Sequence, residues 1–162
     1  MTLREATAAD FDAIMAIEHR SFPTDAWSAE TMSAELSSPH GRYLVDEVDG
    51  AVIGYGGVRA LQGGADADIQ TIALDREHRG AGRGRALLRA LLAAAAERGA
   101  REVFLEVRAD NPAAWGLYVS EGFEEIGRRP RYYQPDDVDA IVMRLDLRTA
   151  VSRADAVKEA RP

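Results

Sequence analysis

Two side chains in this sequence are of the types that move protons, and each stands in a context that could aim it. Glu106 lies in the run Glu102 to Arg108, where Val103, Leu105 and Val107 alternate against Glu102, Phe104, Glu106 and Arg108. That period-2 pattern is a half-buried strand, and glutamate is depleted in strands. Two roles fit it equally. Glu106 is either an outward carboxylate, solvated or paired to Arg108, or a general base that draws a proton from an amine, directly or through water. Tyr118 stands on a short helix read over Pro112 to Glu121. A phenol with a pKa near ~10 suits proton donation to a departing thiolate; the same residue also suits an aromatic that packs the helix down. Asn111 is first a helix cap, with Pro112 at the first helical position. Lying at the carboxyl end of a strand, its amide is also placed to meet a ligand.

A third feature binds rather than reacts. Gln70 to Leu92 reads QTIALDREHRGAGRGRALLRALL: an apolar run over Ile69 to Leu74, a basic glycine-laced loop from Arg76 to Gly84, then a helix with Leu87, Leu88, Leu91 and Leu92 on one face. Strand, glycine loop and helix start together form an anion site. The N–H groups of the first helical turn lack intrahelical partners, and the helix dipole adds partial positive charge there. Gly80, Gly82 and Gly84 lack a Cβ, so a phosphate can approach the amides. Arg76, Arg79, Arg83, Arg85 and Arg89 put positive charge here in a chain of net charge -7. The loop is not a P-loop, since no Gly-Lys-Ser/Thr follows, and its third glycine is misplaced for a dinucleotide fingerprint.

These groups are positioned by alternating strands and helices. Thr2 to Ala6 reads as an edge strand, and Thr7 with Asp10 as a capping-box start for a helix through about His19. Ser28 caps a second helix to Leu36, while Phe22 and Trp27 in the intervening loop read as core anchors more readily than ligand contacts. Arg42 to Val48 and Ala51 to Leu61 form a hairpin turned at Asp49-Gly50, and Asp66 to Leu74 is the next strand. The long helix ends at Gly99, a C′ glycine. Phe123 to Gly127 and Ala140 to Leu147 are expected to be closing strands around a polar loop. The expected fold is α/β (α+β), a mixed, mostly antiparallel twisted sheet of about seven strands with about four helices. One domain spans 1–147, and 148–162 is expected to be a polar tail, frayed or disordered.

Composition narrows the class. A chain of 162 residues with 46% hydrophobic and 29% charged residues is expected to form one soluble domain. A pI near 5.0 argues against nucleic acid and allows an amine-bearing partner. The absence of cysteine removes a disulfide framework, a thiolate nucleophile and a cysteine zinc site. His19, His40 and His78 are too far apart for H-E-x-x-H, so no metal is expected. Arg4, Glu5, Asp10 and Asp12 interrupt any signal-peptide core, and no apolar run is long enough for a membrane span. A cytoplasmic monomer or weak homodimer is expected.

The motifs converge on one family. Arg79-x-x-Gly82-x-Gly84 resembles the R/Q-x-x-G-x-G/A loop of the GCN5-related N-acetyltransferases (GNAT), and Leu105-Glu106-Val107-Arg108, Asn111, Leu117-Tyr118 and Gly122-Phe123 resemble the signature of their ribosomal-protein-alanine N-acetyltransferases, the RimI type. Arg128-Arg129, Tyr132-Tyr133 and Asp139-Ala140-Ile141-Val142-Met143, with Phe22-Pro23 and Trp27-Ser28 earlier, extend the likeness over about residues 2–147. The resemblance implies the GNAT fold, acetyl-CoA as co-substrate, and direct transfer to the N-terminal α-amine of a protein, a ribosomal protein being the favoured acceptor. It implies Glu106 as general base and Tyr118 as general acid. It also implies cofactor contacts from the backbone of Ile72, Ala73 and Leu74, from Arg79 and the loop Gly80, Ala81, Gly82, Arg83, Gly84 and Arg85, and from Asn111. Two other readings stay open: a sibling acetyltransferase for a lysine side chain or small amine, and a non-catalytic acetyl-CoA-binding module. Arg76 stands where many relatives have proline and Arg83 where an aliphatic residue is usual. Arg131 and the short acidic loop Gln134 to Val138 depart in the segment that bears on acceptor choice.

Overall fold

A computed structural model describes residues 2–148. The chain runs β1 (Thr2–Glu5), a 3-10 turn (Ala8–Asp10), α1 (Phe11–Ser21), α2 (Ala29–Ser37), β2 (Gly41–Val48), β3 (Ala51–Ala60), β4 (Asp66–Leu74), a second 3-10 turn (Arg76–His78), α3 (Arg83–Glu97), β5 (Glu102–Arg108), α4 (Pro112–Ser120), β6 (Glu124–Tyr133) and β7 (Val138–Asp146). The strands form one seven-stranded sheet in the order β1-β2-β3-β4-β5-β7-β6. Every neighbouring pair is antiparallel except β4 with β5. The mixed α/β architecture expected from the sequence is therefore the one observed.

The sheet is covered on both faces, which is why β2 and β3 bury residues at successive positions. One core contains Leu87, Leu88 and Leu91 of α3 against Val103, Leu105 and Met143. The other contains Ile14 and Ile17 of α1 with Met32 of α2 against Val45 and Tyr55. Each fully buried leucine or isoleucine contributes roughly 1.5–3 kcal/mol, so α1 and α3 are fixed to the sheet chiefly by these residues. Asp49 (φ 51°) and Gly50 (φ 80°) take the paired left-handed conformations of a two-residue hairpin turn.

Two expectations are corrected. The capping box at Thr7 and Asp10 is formed, but it opens a single 3-10 turn, and α1 begins at Phe11. Asp10 does more than cap: it accepts from the Thr7 N–H at 2.8 Å and pairs with Arg4 at 2.8 Å, tying the helix start to β1. The closing strands are also longer than read. β6 continues through Arg128 and Arg129 to Tyr133, leaving only residues 134–137 as the turn into β7. Most of β6 is exposed, so it has no apolar alternation to read; pairing with β7 holds it instead. It is not regular: Arg129 pairs with Ala140 and Tyr133 with Val138, so Pro130 to Tyr132 bulge against Asp139 alone. Arg131 sits there at φ 54°, its N–H donated to Asp139 at 2.9 Å. Among the described residues no helix is long and apolar enough to cross a membrane. Residues 149–162 of the expected tail lie outside the described residues.

Candidate active site

The site begins as a break in the sheet. β4 and β5 pair only over Asp66–Asp68 and Glu102–Phe104. Beyond that point each stays bonded to its outer neighbour, β3 or β7, while their facing edges separate. The register between β3 and β4 slips at the same place: Val58 faces Ile69 and Gly57 faces Thr71, which leaves Gln70 as an extra residue. Such a bulge bends its strand, and here it turns β4 away from β5. The wedge leaves main-chain donors and acceptors of Ile69 to Leu74 without a strand on one side. A cavity of about 150 Å³ lies at this opening, lined by Ile72 from β4, Glu106 and Arg108 from β5, Asn111, and Tyr118 from α4.

Glu106 and Tyr118 thus meet in one cavity from different elements. Glu106 is one of the half-exposed residues of β5, facing away from buried Leu105 and Val107. Its partner is not Arg108, as one reading of the sequence had it, but Arg129 of β6, whose Nε lies 2.9 Å from Glu106 Oε1. The Glu106 carboxylate, with burial, raises the phenol pKa of Tyr132, and burial followed by the same charge raises that of Tyr133. Tyr118 is 8% exposed and packs edge-on against Phe123 at 5.7 Å. Burial pushes its phenol up to about 12, so it stays protonated at neutral pH. The packing reading of Tyr118 therefore holds in the structure, and its phenol also borders the cavity. Asn111 caps α4 by accepting from the Ala114 N–H at 3.2 Å; it lines the cavity, and among the described residues its amide nitrogen makes no hydrogen bond.

The glycine loop follows the end of β4 rather than lining that cavity. Gly80 (φ 84°) and Gly82 (φ 82°) both adopt the left-handed conformation. A Cβ on either would meet no protein atom within 4 Å, so within the chain itself these positions favour glycine for backbone angle. Gly82 is the N-cap of α3 and supplies no side-chain acceptor, which leaves the first-turn amides of Arg83, Gly84 and Arg85 uncapped. At Gly84 a Cβ would lie 3.4 Å from Leu74 Cδ1 and 3.6 Å from Leu117 Cδ2, so the helix start is seated between the end of β4 and α4. The arginines are less available than their number suggested. Arg83 is paired with Asp46 at 3.1 Å, a carboxylate with 0% exposure. Arg85 bonds Ser120 and Glu121, and Arg89 also pairs with Glu121. Among the described residues Arg76 and Arg79 form no ion pair, and Arg79 Nε donates to the Leu74 carbonyl at 3.1 Å. Uncapped first-turn amides beside two arginines outside any ion pair among the described residues are an arrangement that can take an anion such as a diphosphate.

Several polar residues of the site have no counterpart among the motifs. Glu18, 2% exposed on α1, accepts from the Tyr55 hydroxyl and from the Trp27 N–H at 2.9 Å, and it borders the cavity. Its signal was a charged residue on the Ile14 and Ile17 face of an amphipathic helix. Asp46 gave a similar signal, a carboxylate beside Leu44 and Val45 in a strand. Phe22 and Trp27 pack on the second core and also border the cavity. Among the described residues no group of three or more histidines, aspartates or glutamates could hold a metal ion.

Comparison with known proteins agrees with this geometry. Residues 11–123 match the model of the Acetyltransferase (GNAT) family. The chain is 39% identical over 149 residues to the N-alpha-acetyltransferase RimI of Mycobacterium tuberculosis, covering 90% of this chain and 92% of that one. It is 32% identical over 150 residues to the [ribosomal protein bS18]-alanine N-acetyltransferase of Escherichia coli strain K12, covering 90% and 97%. The crystal structure of the Escherichia coli ribosomal-protein-S18-alanine N-acetyltransferase superposes with a TM-score of 0.81 at 31% identity, covering 90% of this chain and 93% of that one. A split sheet, a main-chain anion cradle and this breadth of similarity place the chain in the GNAT family of acetyltransferases, as an N-acetyltransferase of the RimI type.

Proposed function

We propose that this acetyltransferase modifies the α-amine at the N terminus of a protein, the N-terminal alanine of ribosomal protein bS18 being the acceptor, with Glu106 as general base and Tyr118 as general acid. The observation that carries the reading is the wedge between β4 and β5, which gathers an acidic and a phenolic side chain from separate elements at one cavity. The names of the relatives from Escherichia coli and Mycobacterium tuberculosis support an α-amine acceptor.

Acetyl-CoA, when bound, supplies the acetyl group as a thioester; Gly80 to Arg85, the open edge of Ile72 to Leu74 and Asn111 are the residues suited to hold it. An α-ammonium has a pKa near ~8 against ~10.4 for a lysine, so one carboxylate near neutrality can take its proton, directly or through water. Glu106 does this from the floor of the cavity. Its carboxylate is ion-paired to Arg129, whose side chain, 60% exposed, can swing aside for the incoming cation. Tyr118, its phenol pushed up to about 12 by burial, keeps its proton at neutral pH, so it offers an O–H to the sulfur as negative charge develops there.

The test is incubation of the purified protein with acetyl-CoA and an alanine-initiated peptide of the bS18 N terminus, read by intact mass. One added acetyl group on the terminal amine is expected. Modification of lysine peptides or polyamines with the alanine terminus left free would overturn the acceptor assignment, and no turnover with any amine would leave only a binding module.

A further inference from the structure

Arg108 has a role that the base and acid do not account for. It lies two positions after Glu106 on the same face of β5, with its side chain 17% exposed, and its guanidinium reaches three aspartates from three connections. Nη1 lies 3.3 Å from Asp25, between α1 and α2. Nε and Nη2 bond Asp110, between β5 and α4, at 2.9 and 3.0 Å. Nη2 also bonds Asp136, in the turn between β6 and β7, at 3.0 Å. The guanidinium carbon lies 5.1 Å from the centre of the Tyr133 ring. The first and last connections are joined directly as well, through the Thr24 hydroxyl and Asp136.

We propose that Arg108 is a latch that makes the α1–α2 connection and the β6–β7 turn one wall of the acceptor side, and so acts as a positioning residue for the incoming amine. The inference rests on the acceptor reading above. A planar fork with fixed donor directions can hold three carboxylates at once, which a point-charge ammonium cannot. Each bridge alone is partly exposed and weak, but they share one donor group anchored on the strand of the base, so the two connections lose independent movement relative to Glu106. The Tyr133 ring stacked on Arg108 belongs to the same wall. No part of the latch touches the glycine loop, so the co-substrate side should not sense its loss.

Initial rates with an alanine-initiated peptide and acetyl-CoA test this in Arg108→Gln, Arg108→Lys and Asp136→Asn. The KM for peptide is expected to rise roughly tenfold in both Arg108 variants and by a smaller factor in Asp136→Asn, as misplacement of a substrate by a fraction of an ångström to an ångström costs. The KM for acetyl-CoA is expected to stay within about twofold of wild type, since the glycine loop makes no contact with the latch side chains and the Asn111 N–H bonds the Arg108 main-chain carbonyl, which these substitutions leave in place. Full rescue by lysine, an unchanged peptide KM, or equal rises in both KM values would overturn the latch. Hydrogen exchange gives a readout that needs no acceptor. Segments 22–28 and 134–137 should exchange faster in Arg108→Gln and Asp136→Asn while 79–85 stays as in wild type, and unchanged protection would also overturn it. If the wild type ignores α-amines but both segments loosen, the acceptor reading fails and the latch stands.

Discussion

At the start of α3 the donors are consecutive main-chain amides, set by Gly80 and Gly82 in the left-handed region and by a helix N-terminus without a side-chain cap. On the proposed acceptor side the wall is made of side chains brought from distant parts of the chain: Asp25 and Arg108 are 83 residues apart, and Thr24 and Asp136 are 112 apart. The first kind of site is local and tolerates many side-chain changes, because a backbone amide does not depend on which residue carries it. The second depends on every member and on the packing that holds the connections in place. On the proposed reading, a chain of this kind can keep one co-substrate while its acceptor changes.

The two sides can be separated experimentally. The largest effect is expected from Glu106→Gln, which should lower turnover by about a hundredfold or more, the usual weight of a general base, while acetyl-CoA affinity by calorimetry stays at the wild-type value. Tyr118→Phe should lower turnover by on the order of a hundredfold. Burial raises the Tyr118 phenol from 10.0 to about 12. The folded state therefore keeps a proton that the unfolded state releases above its own, lower pKa, so this contribution to stability is full below about pH 10 and is lost as pH rises towards about 12. Tyr118→Phe should flatten that alkaline loss in a melting-temperature series, and an unchanged alkaline slope would argue against a buried phenol.

Smaller effects should fall on the co-substrate side alone. Gly82→Ala places an L-residue at φ 82° with nothing within 4 Å of its Cβ, so the cost is conformational, about 1–2 kcal/mol. That corresponds to a roughly tenfold rise in the KM for acetyl-CoA with the peptide KM unmoved, if the strain is relieved by reshaping the cradle. Gly82→Asn should do less harm, since asparagine visits this region more readily. Equal damage to both KM values would blur the division between the two sides.

The sequence carried the cradle well and the wall poorly, for the same reason that separates the two. Asn111 before Pro112, Asp49-Gly50, and the glycines at 80 and 82 report local backbone geometry, and the structure places a cap, a hairpin turn and two left-handed residues at those positions. The β3–β4 bulge at Gln70 and the divergence of β4 from β5 depend on pairing between distant strands, and no single stretch encodes them. The same holds for charge. The five arginines between 76 and 89 read as one basic patch, yet Arg83 is neutralised by Asp46, 37 residues away, and Arg85 and Arg89 by Glu121. Arg128, Arg129, Pro130 and Arg131 suggest a loop, whereas they belong to β6, which is held by its partner β7 and not by burial.

The most direct test of the whole account is a crystal structure of the protein grown with acetyl-CoA. It should show the diphosphate on the amides of residues 80–85, the pantetheine arm along the open edge of β4, and the sulfur within hydrogen-bonding reach of the Tyr118 hydroxyl, with Glu106 on the far side of the thioester carbon. A diphosphate bound elsewhere, or a thioester remote from both side chains, would contradict it.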